Sequence, residues 1–487
     1  MAERSRGALG ADRFRAAFLG SRAGLWEDAA SAALDMDKTA EAFAFTEMGR
    51  ARTLLEFAGR HEPDPRDDDV SRELAAVTGE LAALYDRAHE GVGPGEARAR
   101  LMDEIGSRER RAEDVRLRLA SSARHAGAFA QPVTLVDLQR SIPDDGAVVE
   151  YAREDDGEGG VLSAFVVRHD GTRVVRAFAK VSEVEAVVDR FMFQVGRASA
   201  RGIPTGERGA RLATDAETEL AALARFILAP IEEAIDGARR ITVVPVGAVH
   251  GVPMGALPLG TGRLMDRGEI SIAPSASVLG RMGSVTNARR GVLLVGVSDE
   301  RSPRAEAEVH EAAEALRTAG AVGVMVLTGA AATRAALAER AGTVGHLHVA
   351  GHARLIASNP QASGLKLSDG WMTAGEIAGL DLAGATVVLT GCDTGRGGED
   401  EERSALGLAW AVLAAGAASL TMTLWAVHDA TTATLLARAY RDHHGGRGSV
   451  GPALRAAQRA MVSEAETNGG RLHAAAWTPF VTAESLW

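Results

Sequence analysis

The sequence predicts an α/β fold, a mostly parallel sheet flanked by helices, behind an α-helical amino-terminal region. Two observations predict it. Up to about residue 130 the apolar residues recur at three- and four-residue spacings, as on helix faces. From about Pro132 short β-type runs alternate with helical stretches, the order that builds a parallel sheet. No GxxxxGK[ST] or GxGxxG loop opens any of these units, so a nucleotide site is not expected. At roughly 150 residues per unit, 487 residues correspond to about three units. The expected boundaries are 1–130, 131–286 and 287–487.

The helical part opens with Phe14, Phe18, Trp26 and the run Ala29 to Leu34. A second helix is expected from Asp37 to Ala58, anchored by Phe43, Phe45, Met48, Leu54 and Leu55 and stopped by Gly59. His61 to Asp69 holds two prolines and a run of like charges, which suits a turn. Leu74, Val77, Leu81 and Leu84 then mark an amphipathic face, and Gly91 to Gly95 breaks it. Leu101, Met102, Ile105, Val115 and Leu119 continue on a further helix, so two antiparallel helices are expected.

Ala147 to Tyr151 and Val161 to Val167 read as a hairpin around the acidic, glycine-rich turn Glu154 to Gly160. Helices are expected at Ser182 to Val195 and Asp215 to Ile235, and a buried strand at Ile241 to Val246. The last part predicts strands at Gly291 to Val297, Gly323 to Leu327, Val344 to Val349, Thr386 to Thr390 and Ser419 to Trp425. Helices are expected at Ala305 to Ala319, Thr333 to Ala341, Ala405 to Ala415, Thr431 to Arg441 and Val450 to Ser463. In such a doubly wound arrangement, sites form at the carboxyl ends of strands.

Composition narrows the function classes. Apolar residues are 46% and charged residues 24% of the chain, the balance of an ordinary globular protein. The 54 basic and 65 acidic residues leave a formal charge of −11, which repels phosphate backbones; nucleic acid is not the default partner. The one cysteine, Cys392, forms no internal disulfide. Met1 to Arg15 carries charges throughout and lacks the apolar core of a signal peptide. Ser404 to Val427 is uncharged over 24 positions, but its Ala, Gly, Ser and Thr content fits a buried helix followed by a buried strand better than a membrane span. A cytoplasmic protein without membrane contact is expected.

Two strand ends carry reactive residues. Val344 to Val349 runs into Ala350-Gly351-His352, and the strand ending at Thr390 runs into Gly391-Cys392-Asp393. If these strands are neighbours in a parallel sheet, His352 and Cys392 face each other across one crevice. A thiol of pKa about 8.5 is mostly protonated at neutral pH, and a nearby imidazole raises its thiolate fraction. The adjacent glycines allow tight turns with backbone N–H groups free to bind an oxyanion. Two plainer readings stand beside this one. A lone cysteine is often a small buried hydrophobe, and a lone histidine a satisfied hydrogen-bonding residue. A zinc site from His346, His348, His352 and Cys392 is the competing chemistry, without an HExxH or CxxC motif to support it.

The segments GHLHVAGHARL, LKLSDGWMTAGEIAGLDLAGATVVLTGCDTG, AAGAASLTMTLWAVHDATT and AAAWTPFV resemble the CHAT family of caspase-like, clan CD cysteine peptidases, relatives of the caspases and separase. That family's pattern is a strand ending in His-Gly, a strand ending in Ser-Ala-Cys, and a Trp-x-Val-x-Asp motif after a further strand. The resemblance covers about Gly291 to Trp487. Upstream, EAFAFTEMGRARTLLEF is similar to the helix closing a tetratricopeptide-type array, and ITVVPVGAVHGVPMGALP to a non-catalytic, pseudo-caspase half.

The resemblance implies Cys392 as nucleophile and His352 as its base and acid, with no cofactor. It places the oxyanion hole at the backbone N–H groups of Cys392 and Ala353. The family commonly has glycine at the latter position, and alanine takes positive φ less readily. Asp429 is implied as the residue that pairs a basic P1 side chain, with Asp393 a second candidate; capping the helix from Thr431 is the plainer role for Asp429. Gly397 to Arg403 reads as a solvated loop or an activation loop. The implied function is cleavage of a dedicated protein substrate in a bacterial defence or cell-death pathway, possible substrates including a pore-forming effector precursor. A regulatory protein partner at the amino-terminal helices also follows from it. A catalytically silent interaction scaffold is the alternative, and another thiol hydrolase or amidase a third.

Overall fold

The computed structural model describes residues 23–58, 68–89, 96–122, 132–199, 206–279, 289–300, 302–356, 362–391, 399–425, 427, 430–443, 448–468 and 470–484. Phe14, Phe18, Gly59, the turn at 61–67 and Gly91 to Gly95 lie outside these residues.

At the amino end, α1 (Ala23–Asp35) and α2 (Thr39–Ala58) are joined by a turn in which Asp37 takes φ 59°. The expected pair of antiparallel helices is α3 (Asp68–His89) and α4 (Glu96–Ser122). Val77, Leu81, Leu84 and Tyr85 pack on Leu101, Ile105 and Ala112. Arg87 pairs with Glu104, Glu80 with Arg108 and Glu73 with Arg111, an order that only antiparallel helices allow.

The middle of the chain holds α5 (Leu135–Ser141), β1 (Gly146–Glu154), β2 (Val161–Arg168), β3 (Gly171–Lys180), α6 (Val181–Ser199) and α7 (Gly206–Leu223). Then come β4 (Arg240–Val244), the small hairpin β5 (Pro258–Leu259) and β6 (Gly262–Arg263), α8 (Leu264–Arg267), β7 (Glu269–Ile272) and α9 (Ala276–Leu279). β1 and β2 form the expected hairpin, and β3 extends it as a further antiparallel strand. The helix expected over Asp215 to Ile235 is α-helical only to Leu223. It widens into a π turn at Ala224–Leu228 ahead of Pro230, whose ring clashes with an uninterrupted helix.

The last part runs β8 (Gly291–Gly296), α10 (Ala305–Thr318), β9 (Val324–Thr328), α11 (Arg334–Ala341) and β10 (Val344–Ala350). A small antiparallel sheet follows: β11 (Ala353–Arg354), β12 (Gly364–Leu367) and β13 (Gly370–Thr373). Then come α12 (Ala374–Ala378), β14 (Thr386–Thr390), α13 (Glu399–Ala414), β15 (Ser419–Thr423), α14 (Ala430–Asp442), α15 (Gly451–Thr467), α16 (Ala474–Trp477) and β16 (Phe480–Glu484). α13 begins earlier than expected, so the acidic stretch from Glu399 is the start of a helix rather than a loop. The uncharged stretch at 404–427 divides into that helix and β15, and among the described residues no helix is long and apolar enough to cross a membrane.

Among the described residues eleven strands join in one sheet, in the order β3-β2-β1-β4-β7-β16-β15-β14-β10-β8-β9. β15 and β16 pair antiparallel, and the direction of the sheet reverses there. β8, β9, β10, β14 and β15 run parallel to one another, so their carboxyl ends open on one edge. β1, β4, β7 and β16 run the other way. Alternation along the strands fills both faces. Leu347, Val349, Val387 and Leu389 join one core with Ile377, Leu408 and Val412. Val292, Leu294, Ala350 and Val388 join the opposite core with Val309, Leu316, Leu435 and Leu436.

The amino-terminal helices are tied into this sheet. The buried Glu47 carboxylate of α2 accepts the backbone N–H groups of Ala276 (3.1 Å) and Ser277 (2.7 Å), and also the Ser277 hydroxyl. It thereby satisfies donors that the start of α9 would leave orphaned. Arg50 reaches the Tyr151 carbonyl and lies 3.8 Å from the buried Glu150 carboxylate. Burial, and then the nearby Glu47 carboxylate, hold the Glu150 pKa well above the usual range.

Candidate active site

β10 and β14 are adjacent and parallel, and their last paired residues are Ala350 and Thr390. Each strand then enters a glycine turn. The Gly351 N–H donates to the Thr390 carbonyl at 3.2 Å, and the Val297 N–H to the Ala350 carbonyl at 3.1 Å. Gly391 takes φ 90°, and a Cβ on it would fall 2.2 Å from the Gly351 oxygen. Only glycine meets both conditions, the left-handed backbone and the close approach.

His352 follows the first turn and is buried. Its ring meets Trp371 edge-on, with centroids 5.4 Å apart, and its carbonyl accepts the Lys366 N–H at 2.8 Å. That bond makes His352 and Lys366 the hydrogen-bonded pair of the β11–β12 ladder. The next pair, Ala353 and Leu365, is therefore non-hydrogen-bonded. β11 is an edge strand, so the Ala353 N–H points away from β12 and off the sheet. Ala353 lies in extended strand and is not among the residues of positive φ. The conformation that alanine resists is not asked of it.

Cys392 follows Gly391 directly in the chain. Cys392, Asp393 and Asp429 lie outside the described residues, and so do Gly397 and Gly398. On the described side, Asp429 is flanked by Val427, which lines a narrow cleft with Gly351, Thr390 and Gly391, and by Ala430, the first residue of α14.

Glu308, in the first turn of α10, lines the same cleft. Its Oε1 accepts the Thr390 hydroxyl at 2.5 Å and lies 3.2 Å from His348 Nε2. His348 Nε2 is also 3.3 Å from the Thr390 hydroxyl, so α10, β10 and β14 meet in one polar knot beneath the glycine turns. His346, two residues earlier on the same strand face, lies 3.2 Å from the Tyr440 hydroxyl. Burial lowers the His346 pKa well below its ordinary value, and the neighbouring His443 and His348 add to that; burial raises Tyr440. The two histidines offered to zinc by the sequence are thus engaged by Tyr440, Thr390 and Glu308. Among the described residues no group of three or more His, Cys, Asp or Glu is placed to hold a metal ion.

Glu308, Thr390 and Trp371 did not emerge from the sequence as site residues. Thr390 had a signal, a hydroxyl ending a strand just before Gly-Cys. Glu308 had only its place in the first turn after β8.

The CHAT domain family model matches residues 217–485, more than half of the 487-residue chain. The chain belongs to the CHAT family. No curated protein matches it. Among solved structures, it resembles separase of Saccharomyces cerevisiae in the separase–securin complex at 3.0 Å, with TM-score 0.54 and 10% identity. That match covers 92% of this chain and 34% of the separase chain, so the CHAT protein spans about a third of that separase's length. A second separase–securin structure from the same organism, at 2.6 Å, matches with TM-score 0.47 and 10% identity over 91% of this chain and 41% of that one. At this identity the likeness of the first shows the fold: the CHAT chain has a large, mostly parallel, helix-flanked sheet, the caspase-like fold of that separase.

Proposed function

We propose that the protein is a cysteine endopeptidase acting through Cys392 and His352. The observation that carries this reading is the pairing of Ala350 with Thr390, which starts the His352 turn and the Cys392 turn from neighbouring parallel strands. In the reaction, the Cys392 thiolate attacks the scissile carbonyl carbon. The C–N bond breaks as the His352 ring gives its proton to the leaving amine, and a thioester forms. Water, deprotonated by His352, then attacks the thioester and releases the acid and the thiol. The N–H groups of Ala353 and Cys392 stabilise the oxyanion in both steps. The extended backbone of Ala353 supports an oxyanion hole that needs no positive φ at that residue.

The P1 side chain enters the cleft beside Gly391, and Asp429, two residues after the cleft residue Val427, pairs an Arg or Lys there; Asp393 is the second carboxylate in reach along the chain. Residues 1–130 form a tetratricopeptide-like and hairpin region, 131–286 a non-catalytic pseudo-caspase half and 287–487 the peptidase half. The substrate is a dedicated protein cut in the cytoplasm in a bacterial defence or cell-death response, a pore-forming effector precursor being one form it takes. A regulatory protein engages the amino-terminal helices.

A fluorogenic peptide library varied at P1 tests this. Cleavage after Arg or Lys that vanishes in Cys392→Ala and His352→Ala supports the peptidase. Asp429→Ala should then cost about 100-fold in kcat/KM for basic P1, the worth of about 3 kcal/mol in a bidentate ion pair. No turnover, with Cys392 unreactive toward Arg-directed electrophiles, overturns it.

A further inference from the structure

The helical hairpin does not stand apart from the site. Its apolar seam continues onto Ala362 and Ile356, which belong to the segment between β11 and β12, just after His352. Beside this seam lies Arg354, 3% exposed. Its guanidinium carbon is 5.8 Å from the ring centroid of Tyr85 on α3 and 4.3 Å from that of Trp371 on β13. Trp371 in turn is the ring against which His352 packs edge-on. Both aromatic ends are themselves held. The Tyr85 hydroxyl donates to the Glu109 carboxylate of α4 at 2.6 Å, and Lys366 lies 5.3 Å from the Trp371 centroid.

The result is a file of four side chains, Tyr85, Arg354, Trp371 and His352, that crosses from the hairpin to the proposed base. A cation between two rings is drawn to both ring faces, and an edge-to-face pair limits rotation of the imidazole. We propose that Arg354 is a positioning residue through which the α3–α4 hairpin sets the ring of His352. A protein that grips or shifts the hairpin then changes turnover without touching the cleft. This rests on the peptidase reading for its consequence, but the contact itself is testable apart from it.

The test uses the full-length chain and two matched pairs of variants. Tyr85→Phe keeps the ring and Arg354→Lys keeps the cation; Tyr85→Leu and Arg354→Leu remove them. Kinetics on the best library peptide should show kcat lowered at least fivefold in both leucine variants with KM within twofold. Both conservative variants should stay within twofold of wild type. The ring resonance of His352, identified by its loss in His352→Gln, should move in Tyr85→Leu and not in Tyr85→Phe. Unchanged kcat and an unmoved His352 resonance in a folded Tyr85→Leu variant overturn the proposal. Equal losses in Arg354→Lys and Arg354→Leu also overturn it, because packing alone then accounts for them. If the wild type cleaves no peptide and Cys392 stays unlabelled, the peptidase reading fails, and the His352 resonance alone decides whether the hairpin positions the ring.

Discussion

The Thr390 hydroxyl donates to Glu308 Oε1 at 2.5 Å, joining the strand that leads into the Gly391-Cys392 turn to the helix that follows β8. The same carboxylate oxygen lies 3.2 Å from His348 on the strand that leads into His352. One side chain thus ties together both strands that the proposed dyad depends on.

Removing that carboxylate should be felt at the turns before it is felt elsewhere. A hydrogen bond to a charged group contributes about 1.5–3 kcal/mol, and Glu308→Ala leaves the Thr390 hydroxyl and the buried His348 Nε2 only each other, at 3.3 Å. We expect a loss of about 3 kcal/mol of unfolding free energy, and about 1 kcal/mol for Thr390→Val. The double variant should lose less than the sum, a coupling that denaturant melts in a double-mutant cycle measure directly. Additive losses would mean that the bond does not hold.

Gly391 gives a second test. The family pattern has alanine before the cysteine and glycine after the histidine. This chain has the reverse, Gly391 and Ala353. Gly391 takes φ 90° against the Gly351 oxygen, while Ala353 sits in extended strand, so the backbone freedom lies on the cysteine side. Gly391→Ala should destabilise the protein by at least about 1–2 kcal/mol, the left-handed penalty alone. It should also slow alkylation of Cys392, which as the single thiol reports without ambiguity. Ala353→Gly should leave both measurements near wild type.

How much of this was legible in the sequence depends on how local each signal was. The strands ending near Val349 and Thr390 are legible, because buried parallel strands read as continuous apolar runs, whereas their adjacency enters the sequence reading only as a condition that the β10–β14 pairing meets. The small sheet is not legible, although Ser368-Asp369 between β12 and β13, followed by Gly370, is a usual hairpin turn; its strands are two to four residues long, too short for a period to show. Glu308 and Arg354 were illegible for a different reason. Their partners lie 82 residues away at Thr390 and far back at Tyr85, and no spacing rule connects such positions. The reversal of the sheet at β16 was equally hidden, since the final strand pairs with both halves.

Glu47 shows what the helix motif around it accomplishes. It caps α9 through two backbone N–H groups and the Ser277 hydroxyl, inside a buried seam between α2 and the sheet. Glu47→Ala strands those donors, each at a cost of about 1–3 kcal/mol, so a loss of about 3 kcal/mol is expected. Limited proteolysis should then release the helical region sooner than in wild type. An unchanged cleavage pattern and melting curve would mean that the helices dock by other contacts.

The pH dependence of stability should carry two opposed slopes. Burial raises Glu484 from its ordinary 4.5 to about 7. The folded protein therefore holds more protons than the unfolded chain between those values, and stability falls as pH rises through them. Burial lowers His473 from 6.5 to about 4, so there the unfolded chain holds more protons and stability falls as pH drops from 6.5 towards 4. Between 4.5 and 6.5 the two oppose each other, as do the buried Glu150, shifted the same way as Glu484, and the buried His346, shifted the same way as His473. Single variants separate them. Glu484→Gln should gain up to about 3 kcal/mol at pH 8.5 and nothing at pH 4. His473→Asn, whose side-chain oxygen can still accept the Ala475 N–H that His473 Nδ1 accepts at 3.1 Å, should reduce the acid-side slope and keep the alkaline one. Denaturant midpoints at half-unit steps of pH read both, and a Glu484→Gln profile parallel to wild type between pH 4.5 and 7 would show that the carboxyl ionises in the folded protein without cost.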